Sequence, residues 1–411
     1  MLIVLAVGAM PPTGDLDATV AHALAHHPLL EASRAGTAAA AAQVRVAGSL
    51  PDPSLRWGEM VAAVETRVGP QQRVLSVQQT LPWPGTLGAR REAASAGRAA
   101  AAALEIDTAV RVAAEVRRAW TRAAWLAEIR SVSRRQLALL RSLLASVRAG
   151  YEAGTGRYGD LLQLQLEEAR LHDRLLAFDD DETALRARLN AALGRDPADP
   201  LVLPAGLPEP PVTSAASVAG HPRLMALGHR AEGARLAARI AQREARPGFT
   251  LGLDWIQVGE ARMDGVEDSG RDAVVARLGL SLPLWRGKHE GARQAAVARA
   301  GALTAERTAW RQALAARLAA AEAALRDAGR RRDLHRDDLL PRAHRVYEAV
   351  LAAYRADGTG FADVLAAQRT LLELEQSLLA ARRDLLLAAA DHDEAAGIVP
   401  AVGPTTPRND S

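Results

Sequence analysis

The chain has 411 residues, 49% hydrophobic but only 3% aromatic, and 51 basic residues nearly balance 48 acidic ones to leave a formal charge of +3. With no cysteine, a disulfide framework, a thiolate metal site, a cysteine nucleophile and a lipidated N-terminal cysteine are excluded. The basic residues are almost all arginine, Lys288 being the only lysine, and they form no clustered stripe, so nucleic acid is not an expected partner.

In chain order, residues 1–12 read as a signal segment. Met1 to Met10 are largely apolar and end in Val7-Gly8-Ala9, which matches an h-region and cleavage site, although no Lys or Arg precedes them. No run of about 18 uncharged apolar residues occurs anywhere, so a membrane crossing would have to use strands.

The remainder is written twice, as a first repeat over 13–205 and a second over 206–397, followed by a tail, 398–411, expected to be disordered. His27-Pro28 and Pro53 return as His221-Pro222 and Pro247, each 194 positions later. Tyr151, Ala153, Asp160, Leu162 and Gln165 return as Tyr354, Ala356, Asp363, Leu365 and Gln368, each 203 positions later. Between the repeats, Pro197, Pro200, Pro204, Pro208, Pro210 and Pro211 forbid a continuous helix and predict an extended connector.

Each repeat predicts helix, strand, strand, long helix, turn and helix. Phe249, Leu251, Leu253 and Trp255 alternate with Thr250, Gly252 and Asp254, and Val274, Ala276, Leu278, Leu280 and Leu282 alternate with Arg277, Gly279 and Ser281. That period of two marks strands with one apolar and one polar face. The first repeat carries a weaker pair, roughly Ser54 to Val61 and Arg73 to Leu81. Apolar-out, polar-in strands suit a transmembrane barrel, and four strands close a lumen only when several chains contribute. A sheet in a soluble sandwich would alternate similarly. Trp57, Phe249, Trp255 and Trp285 suit aromatic belts at the bilayer interfaces.

Beyond each strand pair the chain runs helically toward Tyr151 or Tyr354, a span of about 65 residues and roughly 100 Å. Leu137, Leu140, Leu144, Val147 and Tyr151, then Leu161, Leu164, Glu168, Leu171, Leu175 and Phe178, follow 3,4 spacing, as do Val364, Ala367, Leu371, Leu374, Leu378, Ala381 and Leu385. Antiparallel coiled-coil hairpins are expected, with a plain helical bundle as the alternative.

The ordered set of motifs resembles the TolC-like outer-membrane efflux factors over nearly the whole chain. The most specific residues are the junctions Leu81-Pro82-Trp83-Pro84-Gly85 and Leu282-Pro283-Leu284-Trp285, with Gly287-Lys288, and the paired tips from Tyr151 to Asp160 and from Tyr354 to Asp363. The first junction is most similar to the heavy-metal branch, which serves cobalt, zinc, cadmium, copper or silver efflux. The resemblance implies a mainly α fold with a small β part: coiled-coil hairpins forming an α-barrel, and four strands per chain contributing to a trimeric twelve-stranded transmembrane β-barrel. It implies a homotrimer in the outer membrane that extends into the periplasm. Its partners would be a periplasmic adaptor and an inner-membrane pump of the resistance-nodulation-division type. It implies a passive duct with no cofactor and no catalysis. A soluble periplasmic coiled-coil or adaptor protein is the alternative.

The expected functional residues lie at the turns. Asp160, Tyr354 and Asp363 form the expected periplasmic aperture, where a ring of carboxylates favours cations; helix-dipole compensation would by itself explain both aspartates. Gly154, Gly156, Tyr158, Gly358, Gly360 and Phe361 form the expected adaptor-docking tips, the glycines supplying positive backbone angles. Relative to the family, Ala366 replaces an acidic residue and Thr359 an arginine. Pro82, Trp83, Pro84, Gly85, Pro283, Trp285 and Gly287 make the barrel-to-helix junctions. His26, His27 and His221 read as helix-boundary residues rather than metal ligands, and Asp264 to Asp272 as an exposed loop without calcium-loop spacing.

Overall fold

The computed structural model describes residues 12–154, 156–211, 215–356 and 358–399. The expected signal segment, apart from its last residue, and all but the first two residues of the expected tail lie outside them. The described chain is mainly helical with one small sheet, as expected. Its first half runs α1 (Leu16–His26), α2 (Pro28–Ala47), β1 (Ser54–Thr66), β2 (Gly69–Leu81), α3 (Thr86–Glu152) and α4 (Tyr158–Ala192). Its second half runs α5 (Pro222–Glu244), β3 (Gly248–Val258), β4 (Ala273–Ser281), α6 (Arg286–Leu334), a π-helical turn (His335–Leu339), α7 (Leu340–Arg355) and α8 (Phe361–Ala396).

By packing, the chain divides into two compact units, and each draws on both halves. One holds Arg34–Leu104 and Arg223–Ala309, including the whole sheet. Its strands form an antiparallel meander in the order β1-β2-β3-β4. β1 and β2 are longer than the alternation predicted, because the register shifts between Glu59 and Val64 and interrupts the period of two.

The other unit holds the described parts of Met1–Ser33, Glu105–Pro222 and Trp310–Ser411. Its main core gathers Val20 and Leu24 of α1, Val116 and Trp120 of α3, Leu189 of α4 and Leu386 of α8. The proline-rich connector is pinned to this core by buried Leu201 and Leu207. Glu128 and Arg382 hold the same strip of chain. Leu207 N donates to Glu128 Oε1 at 2.7 Å, while Arg382 donates to Leu207 O at 2.9 Å and to Glu128 Oε2 at 3.1 Å. No single-sequence pattern announces that three-way clasp.

Both helical hairpins form, and their seams follow the expected spacing in part, with Tyr151 exposed and Leu371, Leu374 and Leu378 only half-buried. Leu137, Leu140, Val147, Leu161, Leu164, Leu171 and Phe178 are buried in the first, and Val364, Ala381 and Leu385 in the second. Glu168, an acidic residue in the seam spacing, is ion-paired with Arg141 at 2.8 Å. The helix leading to the second turn is not continuous. Pro341 has no N–H to donate, and its ring crowds the carbonyl one turn back. Over His335–Leu339 the helix widens, and Leu340 N–H donates to His335 O, five residues back.

Candidate functional site

In the unit containing the sheet, cross-strand register sorts every side chain onto one of two faces. Trp57, Leu75, Trp255 and Val274 stand in one row, and Leu55, Val77, Leu253 and Ala276 in the next. Leu251 and Leu278 follow beside Gln79, then Leu81, Phe249 and Leu280. Leu55, Trp57, Val77, Leu251, Leu253, Trp255, Val274, Leu278 and Leu280 are all exposed. The opposite face carries Arg56, Ser76, Asp254 and Val275 in one row and Ser54, Gln78, Gly252 and Arg277 in another, with the apolar row Gly58, Val74, Ile256 and Ala273 beside them. There Arg56 Nη2 donates to Gln78 Oε1 at 3.1 Å, and Asp254 and Arg277 form an ion pair. This arrangement inverts a water-soluble sheet, which would cover its apolar side. It matches strands that meet lipid on one face and water on the other.

The two junctions below the sheet have diverged. Trp83 stacks on Phe249, with ring centroids 6.1 Å apart, and Arg246 lies 5.3 Å above the Trp83 ring. Gly85, at φ +81°, brings its carbonyl to the Arg243 guanidinium, and Arg90 pairs with Glu244 at 2.5 Å. Trp285, the corresponding aromatic residue, is 78% exposed.

In the helical unit the two turns, some 200 residues apart in sequence, are brought together. Leu140 and Val147 of α3, Leu161 and Leu164 of α4, and Phe361 and Leu365 of α8 form one buried cluster, with Tyr354 packed against it. Arg369 of α8 also reaches Glu167 of α4. Each turn holds an aromatic pair, Tyr151 with Tyr158 at 5.5 Å and Tyr354 with Phe361 at 5.6 Å.

The expectation of positive backbone angles at all four tip glycines is corrected: of these, only Gly154 has one, φ +76°. Gly156 is needed for proximity instead, since a Cβ there would sit 2.7 Å from Tyr151 N. Gly360, at φ −82°, is an extended residue capping α8. A second correction concerns Phe361. It is 3% exposed and belongs to the cluster, whereas Tyr158 is 56% exposed, so of these two aromatic rings only that of Tyr158 lies at the surface. Asp160 and Asp363 both lie in the first turn of the return helices. Thr359, at the position where the family resemblance leads one to expect arginine, donates its hydroxyl to Asp363 Oδ2.

The repeated His-Pro pairs have a packing role. Gly194, at φ +74°, closes α4 where an added Cβ would lie 2.4 Å from Pro28 Cδ, and Gly397, at φ +73°, closes α8 where it would lie 2.6 Å from Pro222 Cδ. Only glycine permits both the left-handed turn and the approach. His27 Nδ1 accepts from Leu29 N at 3.1 Å, and His221 Nε2 lies 3.2 Å from Glu394 O. Burial holds His27 below the usual imidazole range, which favours its neutral, accepting form. Among the described residues, no three metal-ligating side chains converge, and no helix is long and apolar enough to cross a membrane.

Residues 215–397 match the family model described as outer membrane efflux protein. No curated protein matches the sequence. Among solved structures, the outer membrane protein VceC of Vibrio cholerae is similar at 21% identity with a TM-score of 0.74, covering 93% of this chain and 96% of its own. A membrane protein of Pseudomonas aeruginosa is similar at 18% identity with a TM-score of 0.78, covering 94% and 92%. The open state of the Neisseria gonorrhoeae MtrE outer membrane channel is similar at 19% identity with a TM-score of 0.76, covering 93% and 89%. These likenesses establish the fold over nearly the full length. They leave the soluble adaptor alternative without support.

Proposed function

We propose that this chain, a TolC-like outer-membrane efflux protein and not an enzyme, is the passive exit duct of a tripartite export assembly. It is an outer-membrane protein extending into the periplasm. In this reading the repeats over 13–205 and 206–397 each supply one strand pair and one helical hairpin, and three copies close a twelve-stranded barrel. β1 and β4 leave unpaired edges, and closure with neighbouring copies removes them. The observation that carries the reading is the exposed apolar face running across all four strands, backed by a polar face with the Asp254–Arg277 pair.

The tips then form the periplasmic mouth. Tyr158 and the glycine turns meet a periplasmic adaptor, while Asp160, Asp363 and Tyr354 line the aperture toward an inner-membrane pump of the resistance-nodulation-division class. Light scattering on detergent-purified protein and conductance after reconstitution test this. A detergent-dependent, conducting trimer is the expected result, with weakened cation preference in Asp363→Asn. A soluble, non-conducting monomer would overturn it.

A further inference from the structure

Apolar exposure continues in sequence past the end of β4 at Ser281. Leu278 and Leu280 of the strand are followed by Leu282, Leu284 and Trp285 in the turn before α6, and these last three are 61%, 74% and 78% exposed. Arg286 and Lys288 follow at once, both exposed. Among the described residues neither of these two side chains has a carboxylate partner, whereas Arg293 close by is paired with Glu290.

Beside them opens a cavity of about 540 Å³, lined by Ala241, Leu282, Leu284, Arg286, His289 and Arg293 among others. Its one carboxylate, Glu290, is already satisfied. Arg293 donates to it at 2.6 and 2.9 Å and Gln294 at 2.9 Å. These bonds hold Glu290 down at about 2, so it stays ionised and occupied and does not compete for Arg286 or Lys288. The duplication supplies an internal comparison. The first junction also lies between a strand and a long helix, yet it turns at Gly85 with φ +81° and its tryptophan is stacked and capped by Arg246. The second leaves an apolar surface, an aromatic ring and two cations in sequence.

We propose that this second junction binds an anionic phospholipid headgroup in the leaflet nearest the helices. Leu282, Leu284 and Trp285 contact the chain and interfacial region, and Arg286 and Lys288 face the phosphate. The inference rests on the membrane reading above. It is favoured by charge complementarity and by continuity with the apolar face of the sheet.

The test uses full-length protein in vesicles of phosphatidylcholine with a fixed fraction of phosphatidylglycerol, the brominated chains placed on one lipid or the other. The fluorescence component missing from Trp285→Phe isolates Trp285. We expect brominated phosphatidylglycerol to quench that component several-fold more than brominated phosphatidylcholine at equal mole fraction. Arg286→Gln and Lys288→Gln should each reduce the preference, by up to about fivefold per cation, and raised salt should weaken it. Equal quenching by both lipids would overturn the headgroup site while leaving the barrel intact. So would a Trp285 component untouched by either lipid while Trp57 and Trp255 are quenched, because a second copy would then cover the junction. If no tryptophan is quenched by any lipid, the membrane reading itself fails.

Discussion

The first helical hairpin reaches its turn along one unbroken helix, Thr86–Glu152, whereas the second reaches its turn through α6, a π-helical widening and α7. The first turn presents Tyr158 to solvent, and the second buries Phe361 at the matching position. The two halves thus share an order of elements but differ in packing. Both contribute to the shared tip cluster, yet of the two aromatic residues that open the return helices only Phe361 is buried in it, while Tyr158 stays exposed. The same division separates the packed Trp83 junction from the open Trp285 junction. In each pair the order of elements is the same, while the local turn and the exposure of the aromatic ring differ.

The largest expected effect tests the tips. Phe361→Ala empties a site in the cluster and should cost about 3–5 kcal/mol, read as a lowered thermal midpoint in detergent. Tyr158→Ala should leave the midpoint nearly unchanged and, if the proposed periplasmic adaptor docks at this turn, weaken cross-linking to it. Equal destabilisation by both substitutions would erase the distinction drawn between the turns.

Within the sheet the halves should behave alike. Val77 of β2 pairs with Leu253 of β3 on the apolar face, so Val77→Arg and Leu253→Arg should each cost about 2–4 kcal/mol if that face meets lipid. Ser76→Arg on the polar face should be tolerated. Loss of the assembled form on a semi-native gel reports all three, and tolerance of Leu253→Arg would count against a lipid-facing surface.

The unequal long helices make a reciprocal pair. Pro341 corresponds to Ala138 by the 203-residue shift. Ala138→Pro should cost about 3 kcal/mol, because α3 has no widened turn to absorb the missing donor. Pro341→Ala should change stability by less than about 1 kcal/mol and slow amide exchange around residues 335–341. Unchanged exchange there would show that proline is not what holds the π turn open.

The smallest effect concerns acid. His22, His27 and His335 are each held below 6.5, chiefly by burial. The folded state therefore binds these protons less readily than the unfolded chain. Their contribution is complete above about pH 6.5 and is lost as pH falls toward the lower folded values. The thermal midpoint should drop between pH 7.5 and 5, and His27→Gln should narrow that drop. An unaltered drop would remove His27 from the account.

Local pattern alone determined much of this protein. Alternation assigned the strand faces of β3 and β4, because neighbouring side chains of a strand must point oppositely. The 3,4 spacing assigned the seams, because residues so spaced share one side of a helix. Paired motifs carried the reading of two repeats. The interrupted end of β1 was not legible, because the register shift after Glu59 breaks the period on which the reading depends.

Only tertiary structure decided which repeated residues meet. Gly194 against His27-Pro28 and Gly397 against His221-Pro222 are contacts between residues far apart in the chain, and repetition marks such residues without pairing them. The Glu128–Arg382 clasp on the connector is of the same kind. The separate fates of Phe361 and Tyr158 follow the same logic. Both are aromatic residues opening a return helix, and burial is set by what the other hairpin packs against them, which neither local sequence contains.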